Sequence, residues 1–255
     1  MGYEKELQTA LQLMEGVSAL AMRYFAEGVE SEDKADESPV TVADRECEKL
    51  IVSVLDKQYP GDGLLGEEGT SKEGNTGRRW IIDPVDGTRD FVRSNRLWAS
   101  LLALEVDGEV ALGVAGFPAM QETYWAVRGG GAFRDGERIH ISSITDVSRS
   151  VACINQMQNA QKKPGRDKIL DLLSKFWAVR SMGGAMDSMF VCAGHAEFWL
   201  EPGAKPWDLA VPQVIVEEAG GVFMDYQGKH TIYGGNAIIC VPALVPVARW
   251  FLGLN

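Results

Sequence analysis

A short apolar run that ends in a pair of aspartates constrains this chain more than any other stretch. Trp80-Ile81-Ile82 predicts a buried strand, and Asp83-Pro84-Val85-Asp86-Gly87-Thr88 follows it directly. The proline stiffens the backbone between the two carboxylates, and the Gly-Thr pair predicts the start of a short helix. Carboxylates at a strand end can hold hard divalent cations, and the N–H groups of a helix start can hold a phosphate. The stretch therefore indicates a metal beside a phosphate, the arrangement used in metal-assisted phosphoryl hydrolysis.

The motif alone leaves a purely structural interpretation open, because Asp-Pro and Asp-Gly also occur in ordinary turns. Other acidic positions have structural alternatives as well. Asp44 could only cap its helix, Glu67 and Glu68 could be solvated loop charges, and Asp208 could stabilise a first helical turn. Together, however, these acids lie at the ends of predicted elements, where side chains from distant parts of a chain can converge on metal ions.

Length and charge limit the fold and the partners. A chain of 255 residues, 45% of them hydrophobic, can form one large domain or two modest ones. We expect a boundary near residue 145, where the composition becomes polar, with most of the acidic motifs in 1–145 and Asp208 in 146–255. The net charge of −11 argues against nucleic acid as the main partner. An anionic substrate requires bound cations that reverse the local field.

The sequence predicts a cytoplasmic protein that does not enter a membrane. No apolar stretch approaches the length of a membrane span, and the N-terminus lacks a signal-peptide pattern. The four cysteines, Cys47, Cys153, Cys192 and Cys240, have no paired spacing. They are typical of reduced core residues rather than of zinc ligands or disulfides.

Periodicity and turn signals predict a layered α/β or α+β fold. In the first half we expect helices at about 3–26 and from the N-cap Thr41 to Pro60-Gly61, and strands at 80–82, 98–106, 110–117 and 122–127. Asp107-Gly108 predicts a hairpin. Residues 30–37 and 61–77 are expected to be loops, and the Gly129-Gly130-Gly131 run a tight turn rather than a phosphate loop. In the second half we expect helices at 164–176, 183–194, 207–219 and 242–252, with strands at 178–182, 196–200, 222–224 and 237–241.

Taken together, the motifs resemble the inositol monophosphatase superfamily in order and in spacing. They are Ser38–Asp44, Gly66–Gly69, Trp80–Thr88, Gly129–Phe133, Lys205–Ala210 and Glu217–Gly221. They extend over nearly the whole chain, from about position 34 to 228. The resemblance implies an α/β fold of the layered αβαβα type and a homodimer. It also implies Mg²⁺-dependent hydrolysis of a small-molecule phosphate monoester by a metal-activated water.

The resemblance also implies roles for individual residues. Two or three Mg²⁺ ions per site would be bound by Glu67, Asp83, Asp86, Asp208 and the carbonyl of Val85. Glu67 and Thr88 would orient and activate the water, with Asp44 acting through Thr88. The substrate-binding set would be Asp86, Gly87, Thr88, Gly183, Gly184, Glu201 and Asp208. Lys34 lies near the position of a loop lysine in the family.

The sequence does not select one phosphate ester. The run Asp86–Arg93 and the Gly183-Gly184 pair resemble the histidinol-phosphatase branch, although that branch often has Asp where this chain has Ala185. Inositol-specific members usually have Thr in place of Gly184. We favour histidinol phosphate as the substrate, with inositol 1-phosphate or low selectivity as alternatives. A remote alternative is a non-catalytic partner of the transcription or RNA-processing machinery, for which a complete ligand set would be unusual.

Overall fold

The central motif lies on an interior strand of an eight-stranded sheet, in a computed structural model that describes residues 2–33 and 39–254. The α-helices of the described chain are α1 (Glu4–Glu27), α2 (Val42–Gln58), α3 (Thr88–Phe91), α4 (Met157–Ala160), α5 (Arg166–Leu173), α6 (Gly184–Cys192), α7 (Pro206–Glu218) and α8 (Val245–Leu252). Its strands are β1 (Ser31–Asp33), β2 (Pro39–Thr41), β3 (Gly63–Gly66), β4 (Ser71–Lys72), β5 (Arg78–Asp86), β6 (Ala99–Val106), β7 (Glu109–Phe117), β8 (Glu122–Val127), β9 (Gly131–Arg134), β10 (Glu137–Ile139), β11 (Val151–Ile154), β12 (Ala178–Arg180), β13 (Phe198–Glu201), β14 (Val222–Met224) and β15 (Ala237–Cys240).

Five layers stack on one another, which confirms the αβαβα sandwich expected from the resemblance. The first sheet has the order β10-β9-β8-β7-β6-β5-β3-β4, and the second has the order β12-β11-β13-β15-β14. Helices α1 and α2 cover one face of the first sheet, and α6 and α7 lie between the two sheets. Helices α5 and α8 cover the outer face of the second sheet. Each sheet therefore buries an apolar face against helices.

The side chains of β5 alternate between the two faces of the sheet, and this alternation sets the face on which each residue of the central motif lies. Successive strand residues point to opposite faces of a sheet. Trp80 and Ile82 accordingly belong to the core beneath α1 and α2, and Ile81 belongs to the core that includes α6 and α7. Asp83, two positions after Ile81, lies at the end of the run that faces the middle helix layer. The strand pattern thus directs the first aspartate towards α7, which carries Asp208.

Several predictions from the sequence are confirmed by the first half of the fold. The Thr41 hydroxyl accepts the N–H groups of Ala43 and Asp44 at the start of α2, and the Asp44 carboxylate accepts the Thr41 N–H at 2.8 Å. This is the predicted capping box. The predicted hairpin joins β6 and β7 through Asp107 and Gly108, both with positive φ.

Two predicted loops contain strands, and these predictions were wrong. Residues 31–33 of the charged stretch form β1, which pairs with β2; Lys34 and Ser38 lie outside the described residues. Within 61–77, β3 pairs in parallel with β5, and β4 forms its antiparallel neighbour. The apolar content of β3 is only Leu64 and Leu65 between two glycines. So short a run gives no period-2 pattern, and its strand conformation comes from pairing with β5.

Boundaries in the second half differ from the predictions by a few residues. The helix expected at 164–176 is α5, Arg166–Leu173, and it follows a π-type turn at Gln161–Gly165 that contains Pro164. The helix expected at 242–252 starts with a 3-10 turn at Pro242–Leu244 before α8. The four-residue α4 was not predicted. The division into 1–145 and 146–255 stays a prediction, since α7 contacts strands of both sheets.

Gly129 and Gly130 form a turn, as predicted, and Gly131 begins β9. The turn joins β8 to β9, and the Glu218 carboxylate accepts the N–H groups of Gly129 and Gly131, each at 2.8 Å. These donors are therefore already used by an anion of the protein itself, which leaves them unavailable to a phosphate.

A search of the described helices finds none with the length and the apolar character needed to cross a bilayer.

Candidate metal centre

A bulge in β5 places two aspartates on the same side of the sheet. The pairing of β5 with β6 runs regularly to Asp83 opposite Leu101 and resumes at Asp86 opposite Ala99, so the register shifts between them. Pro84 has no N–H to donate to the ladder, and such residues are confined to edges or bulges. The Ser100 hydroxyl donates to the Pro84 carbonyl at 2.7 Å and fixes the bulge. The Asp-Pro-x-Asp spacing thus sets the geometry of the pair.

The third carboxylate comes from the start of α7. Pro206 occupies the first helical turn, and the Asp208 carboxylate accepts the Lys205 N–H at 2.7 Å. This contact fixes the side chain at the N-terminus of the helix, the end that favours negative charge. Asp83, Asp86 and Asp208 each offer a carboxylate oxygen, and these oxygens lie within 4.8 Å of one another.

Of the three aspartates, Asp83 gives the strongest indication of a bound cation. It is buried, and among the described residues no hydrogen-bond partner contacts either of its carboxylate oxygens. Burial and the charges of Glu67, Asp86 and Asp208 raise its pKa well above the usual range. Burial also raises the pKa of Asp86 to about 6 and, with the charge of Asp86, that of Asp208 to about 8. A buried carboxylate without partners is costly to the fold unless a cation pairs with it.

The donor set fits Mg²⁺. Hard divalent cations take oxygen ligands, and the groups that converge here are carboxylates and backbone carbonyls rather than thiolates or imidazoles. Glu67 lines the same cavity as the three aspartates, and so does Val85, whose carbonyl lies 3.1 Å from the Thr88 hydroxyl. The residues present therefore match the ion that the sequence predicts.

The raised pKa values predict how stability depends on pH. Between about pH 4, where these carboxyls ionise in an unfolded chain, and their folded pKa values of about 6 and about 8, the folded protein binds more protons than the unfolded chain. The free energy of unfolding of the metal-free protein must then fall as pH rises through this window. We expect a lower melting temperature for EDTA-treated protein near pH 8 than near pH 6, and a Mg²⁺-induced increase that is larger near pH 8. A Mg²⁺-induced increase that is larger at the lower pH would contradict this expectation.

Beside the aspartates, a hydroxyl and a carboxylate form a second pair. Thr88 begins α3, and its Oγ1 lies 3.2 Å from Asp44 Oδ1 and 3.1 Å from the Val85 carbonyl. Asp44 is fully buried, and burial raises its pKa. Gly87 precedes α3 at φ +87°, and a Cβ there would press on the Leu97 carbonyl. Glycine is therefore required for the turn that brings Thr88 beside the metal ligands.

The sequence did not reveal how the Glu67 loop is held. Glu48 on α2 is buried, and its carboxylate accepts the N–H groups of Glu68 at 2.8 Å and Thr70 at 3.0 Å. A Cβ on Gly66 would collide with this carboxylate. Glu48 thus holds the backbone that directly follows Glu67. A signal did exist in the sequence, because Glu48 follows Asp44 by four residues and shares its buried helix face.

Replacing Glu48 with Gln is expected to raise the Mg²⁺ requirement. The amide keeps one acceptor oxygen and turns an NH₂ group towards a backbone N–H, so the loop loses one of its two anchors. Residues that orient metal ligands typically change metal affinity or activity by about 10- to 100-fold. We expect the Mg²⁺ concentration for half-maximal turnover to rise by about tenfold or more. Glu46→Gln, on the same helix at a partly exposed ion pair with Lys49, is the matched control. Equal Mg²⁺ requirements in the two variants would exclude a positioning role for Glu48.

The opposite wall of the cavity is the turn before α6. The Asp187 carboxylate accepts the N–H groups of Met182 at 3.0 Å and Gly183 at 3.1 Å, and Asp86 Oδ2 accepts the Ala185 N–H at 2.5 Å. Gly184 has φ +52°, and a Cβ on it would collide with the Asp86 carboxylate. The sequence pattern did not indicate a role for Asp187 either, although Asp187 is a buried acid one helical turn after the glycine pair.

Glu201 lies at the end of β13 in a small adjoining cavity. Its carboxylate accepts Asn155 Nδ2 at 2.5 Å, Gln156 Nε2 at 3.0 Å and the Gly203 N–H at 3.1 Å. Burial raises its pKa to about 8. The adjoining cavity, about 90 Å³ in volume, also borders Asp86 and Asp208. Glu201 is thus close to the aspartates but is already paired with amides.

The structure brings most of the predicted site residues to one cavity of about 390 Å³. Its lining includes Glu67, Asp83, Val85, Asp86, Gly87, Thr88, Gly183, Gly184 and Asp208. Asp44 lies behind this wall and reaches the cavity through Thr88, whereas Glu201 borders only the adjoining cavity. His195 lies outside both cavities and packs edge-on against Phe190.

Comparisons with known proteins identify the family of the chain. The sequence matches the inositol monophosphatase family over residues 3–249. It is 39% identical to a histidinol-phosphatase of Chlorobaculum parvum, over 92% of this chain and 91% of that protein. It is 33% identical to a fructose-1,6-bisphosphatase/inositol-1-monophosphatase of Thermotoga maritima, over 88% and 86% of the two chains. The solved structure of a Thermotoga maritima IMPase superposes with a TM-score of 0.89 at 30% identity, covering 98% of this chain and 97% of the other. The chain therefore belongs to the inositol monophosphatase family and is a phosphoric monoester hydrolase.

Proposed function

We propose that this protein hydrolyses histidinol phosphate with Mg²⁺ and a water molecule as nucleophile. The observation on which the proposal rests is Asp83: a buried carboxylate without a hydrogen-bond partner in the described chain, beside oxygens of Asp86 and Asp208. Such a group is compatible with a stable fold when a cation binds there. A phosphate dianion would also need a cation in this position, because the surrounding carboxylates would otherwise repel it.

The charge of the cavity supports the metal requirement. Among the described residues that line it, Arg89 is the one lysine or arginine. The acidic lining residues are Glu67, Asp83, Asp86, Asp90 and Asp208. A phosphate would be repelled by this surface unless bound cations reversed the local field.

Within the proposal, Glu67, Asp83, Asp86, Asp208 and the Val85 carbonyl hold two or three Mg²⁺ ions. When bound, Mg²⁺ stabilises developing charge on phosphate oxygens and lowers the pKa of a water molecule. The Thr88 hydroxyl, which contacts Asp44, orients the attacking water together with Glu67. The N–H groups at the start of α3, from Gly87 and Thr88, have no acceptor within the helix and can bind the phosphate.

The choice of substrate rests on two observations. The histidinol-phosphatase of Chlorobaculum parvum is 39% identical to this chain, whereas the fructose-1,6-bisphosphatase/inositol-1-monophosphatase of Thermotoga maritima is 33% identical. The turn before α6 also has no room for a side chain at Gly184, the position where the inositol-specific members usually have Thr. Inositol 1-phosphate stays the alternative substrate, and Gly183, Gly184 and Glu201 are the residues we expect near the leaving alcohol.

The proposal is tested by steady-state phosphate release with Mg²⁺ on four substrates: histidinol phosphate, inositol 1-phosphate, fructose 1,6-bisphosphate and phosphoadenosine phosphate. We expect a kcat/KM for histidinol phosphate that exceeds the others by about a hundredfold, or about 2.7 kcal/mol of transition-state discrimination. A similar preference for inositol 1-phosphate would replace the proposed substrate. Equal low values would indicate a low-selectivity phosphatase, and no Mg²⁺-dependent turnover would favour a non-catalytic role.

Three further properties belong to the same proposal. A cytoplasmic location is supported by four cysteines that are all buried and unpaired. The net charge of −11 supports a small phosphorylated metabolite, rather than nucleic acid, as the partner. The homodimer rests on the family alone, and light scattering of the purified protein would test it.

A further inference from the structure

One carboxylate on the cavity wall does not belong to the proposed metal-binding set. Asp90 lies on α3 and lines the cavity that contains Asp83, Asp86 and Asp208. The three metal-binding aspartates converge on one another, whereas Asp90 contributes no oxygen to that cluster. Asp90 is therefore placed to contact a part of the substrate other than the metal-bound phosphate.

The two oxygens of Asp90 have different surroundings. Oδ1 accepts Asn95 Nδ2 at 2.5 Å, and the Asn95 N–H is bonded to the Asp90 carbonyl at 2.9 Å. This double contact fixes the rotamer. Oδ2 is the nearest atom to the open side of Gly183, 3.7 Å from the point where a Cβ would lie. In the described part of the chain no donor is bonded to Oδ2.

The described cations near Asp90 do not form an ion pair with it. Arg93, on the same segment, is exposed, and its charge acts on Asp90 without forming a hydrogen bond or ion pair within the described chain. Arg89 lines the cavity. From the facing elements, the lining residues Asn155, Gln156, Gln158 and Ser181 are polar but uncharged. Among the described residues that line this cavity, Asp90 is therefore the one acidic residue outside the proposed metal-binding set, and its carboxylate is available to a ligand.

We propose that Asp90 binds the cationic nitrogen group of the substrate's leaving alcohol and so selects aminoalkyl or imidazolyl phosphates over neutral polyol phosphates. This inference rests on the proposed function, because it concerns the alcohol side of the same phosphate ester. With the phosphate at the aspartates and Thr88, the alcohol extends into the remainder of the cavity, where Gly183 leaves the Asp90 carboxylate accessible. An ammonium or imidazolium gains there both a hydrogen bond and the attraction between opposite charges, whereas a neutral polyol hydroxyl gains the hydrogen bond alone.

The test compares Asp90→Asn with the unchanged protein on histidinol phosphate and inositol 1-phosphate. Asparagine keeps the size of the side chain and can still accept the Asn95 hydrogen bond, but it removes the charge. We expect the ratio of kcat/KM for histidinol phosphate to that for inositol 1-phosphate to fall by roughly 10- to 100-fold, the effect of losing a hydrogen bond to a charged group. The ratio distinguishes selectivity from general damage, which lowers both values together.

The experiment includes a control variant and a substrate analogue. Asp171→Asn makes the same change on an exposed face of α5, and it should leave the ratio unchanged. A histidinol phosphate analogue that lacks the amino group identifies the nitrogen involved. If Asp90 binds the ammonium, Asp90→Asn should no longer affect kcat/KM for this analogue; if it binds the imidazolium, the effect should persist.

An unchanged ratio, or a parallel loss on both substrates, would overturn the role of Asp90. Either result would leave the proposed function intact provided that the unchanged protein still prefers histidinol phosphate. If the unchanged protein shows no such preference, the proposed substrate itself is wrong, and the inference is overturned with it.

Discussion

Asp83→Asn should abolish turnover and, at the same time, make the metal-free protein more stable. Asp83 is buried with neither carboxylate oxygen bonded in the described chain, and burial, together with the charges of three neighbouring carboxylates, raises its pKa. Asparagine removes the charge at nearly constant size, so the metal-free fold loses an electrostatic cost. The bound metal loses an anionic ligand, which removes transition-state stabilisation of several kcal/mol.

Two measurements check this prediction. The first is kcat/KM at saturating Mg²⁺, which we expect to fall by about a thousandfold or more, as several kcal/mol of lost stabilisation requires. The second is the melting temperature in EDTA, which we expect to rise by about 2–4 °C for each kcal/mol gained in a chain of this size. Undiminished turnover, or a lower melting temperature in EDTA, would contradict the assignment of Asp83 as a metal ligand.

Asp62→Asn is the matched control for this substitution. Asp62 is also a buried aspartate beside the first sheet, but it is fully paired. It accepts Trp80 Nε1 at 3.1 Å, Arg78 Nε at 3.1 Å and the Thr76 hydroxyl at 2.8 Å. The same chemical change should therefore lower the melting temperature, because it breaks a partly buried ion pair. Turnover should persist below the melting temperature, since Asp62 does not line the cavity.

Thr88→Ala should reduce turnover far more than Mg²⁺ affinity. The hydroxyl lies between Asp44 and the Val85 carbonyl and, in the proposed reaction, orients the water whose proton must be removed. Loss of a group that participates in proton transfer typically costs about 10²- to 10⁴-fold in rate. We expect kcat to fall within that range, and the Mg²⁺ concentration for half-maximal turnover to stay within about threefold.

Thr88→Ser separates the hydroxyl from the methyl group of the side chain. Serine can place an oxygen in the same position, so kcat should stay within about tenfold of the unchanged protein, whereas a purely packing role would make serine and alanine similar. Asp44→Asn should lower kcat in the same direction as Thr88→Ala, because a neutral amide accepts the Thr88 hydroxyl more weakly than a carboxylate does. Normal kinetics in Thr88→Ala would exclude the threonine from water activation.

Local signals in the sequence predicted the elements that have strong patterns. The amphipathic α1, the capping box at Thr41 and the hairpin at Asp107-Gly108 depend on residues close together in the chain, and all three are present. The strand β3 was missed because its conformation is stabilised by a partner that lies more than a dozen residues away. Short elements without periodicity are decided by tertiary pairing.

In the site as well, features set by adjacent residues could be predicted from the sequence, and features set by distant segments could not. The Asp-Pro-Val-Asp-Gly-Thr run fixes its own geometry through a bulge and a turn, so the positions of Asp83, Asp86 and Thr88 follow from adjacent residues. The supporting acids Glu48 and Asp187 act on backbone N–H groups of other segments. Nothing in a linear pattern indicates which N–H groups those will be, although a charged residue on a buried helix face is a signal to look for.

The most direct test of the metal centre is a Mg²⁺ titration of phosphate release from histidinol phosphate, starting from protein stripped of metal with EDTA. We expect no measurable turnover at the start and a saturable return of activity as Mg²⁺ is added, with Asp83→Asn remaining inactive throughout. Turnover that persists in the metal-stripped protein, or a full response of Asp83→Asn to Mg²⁺, would contradict the claim that these carboxylates form a catalytic metal centre.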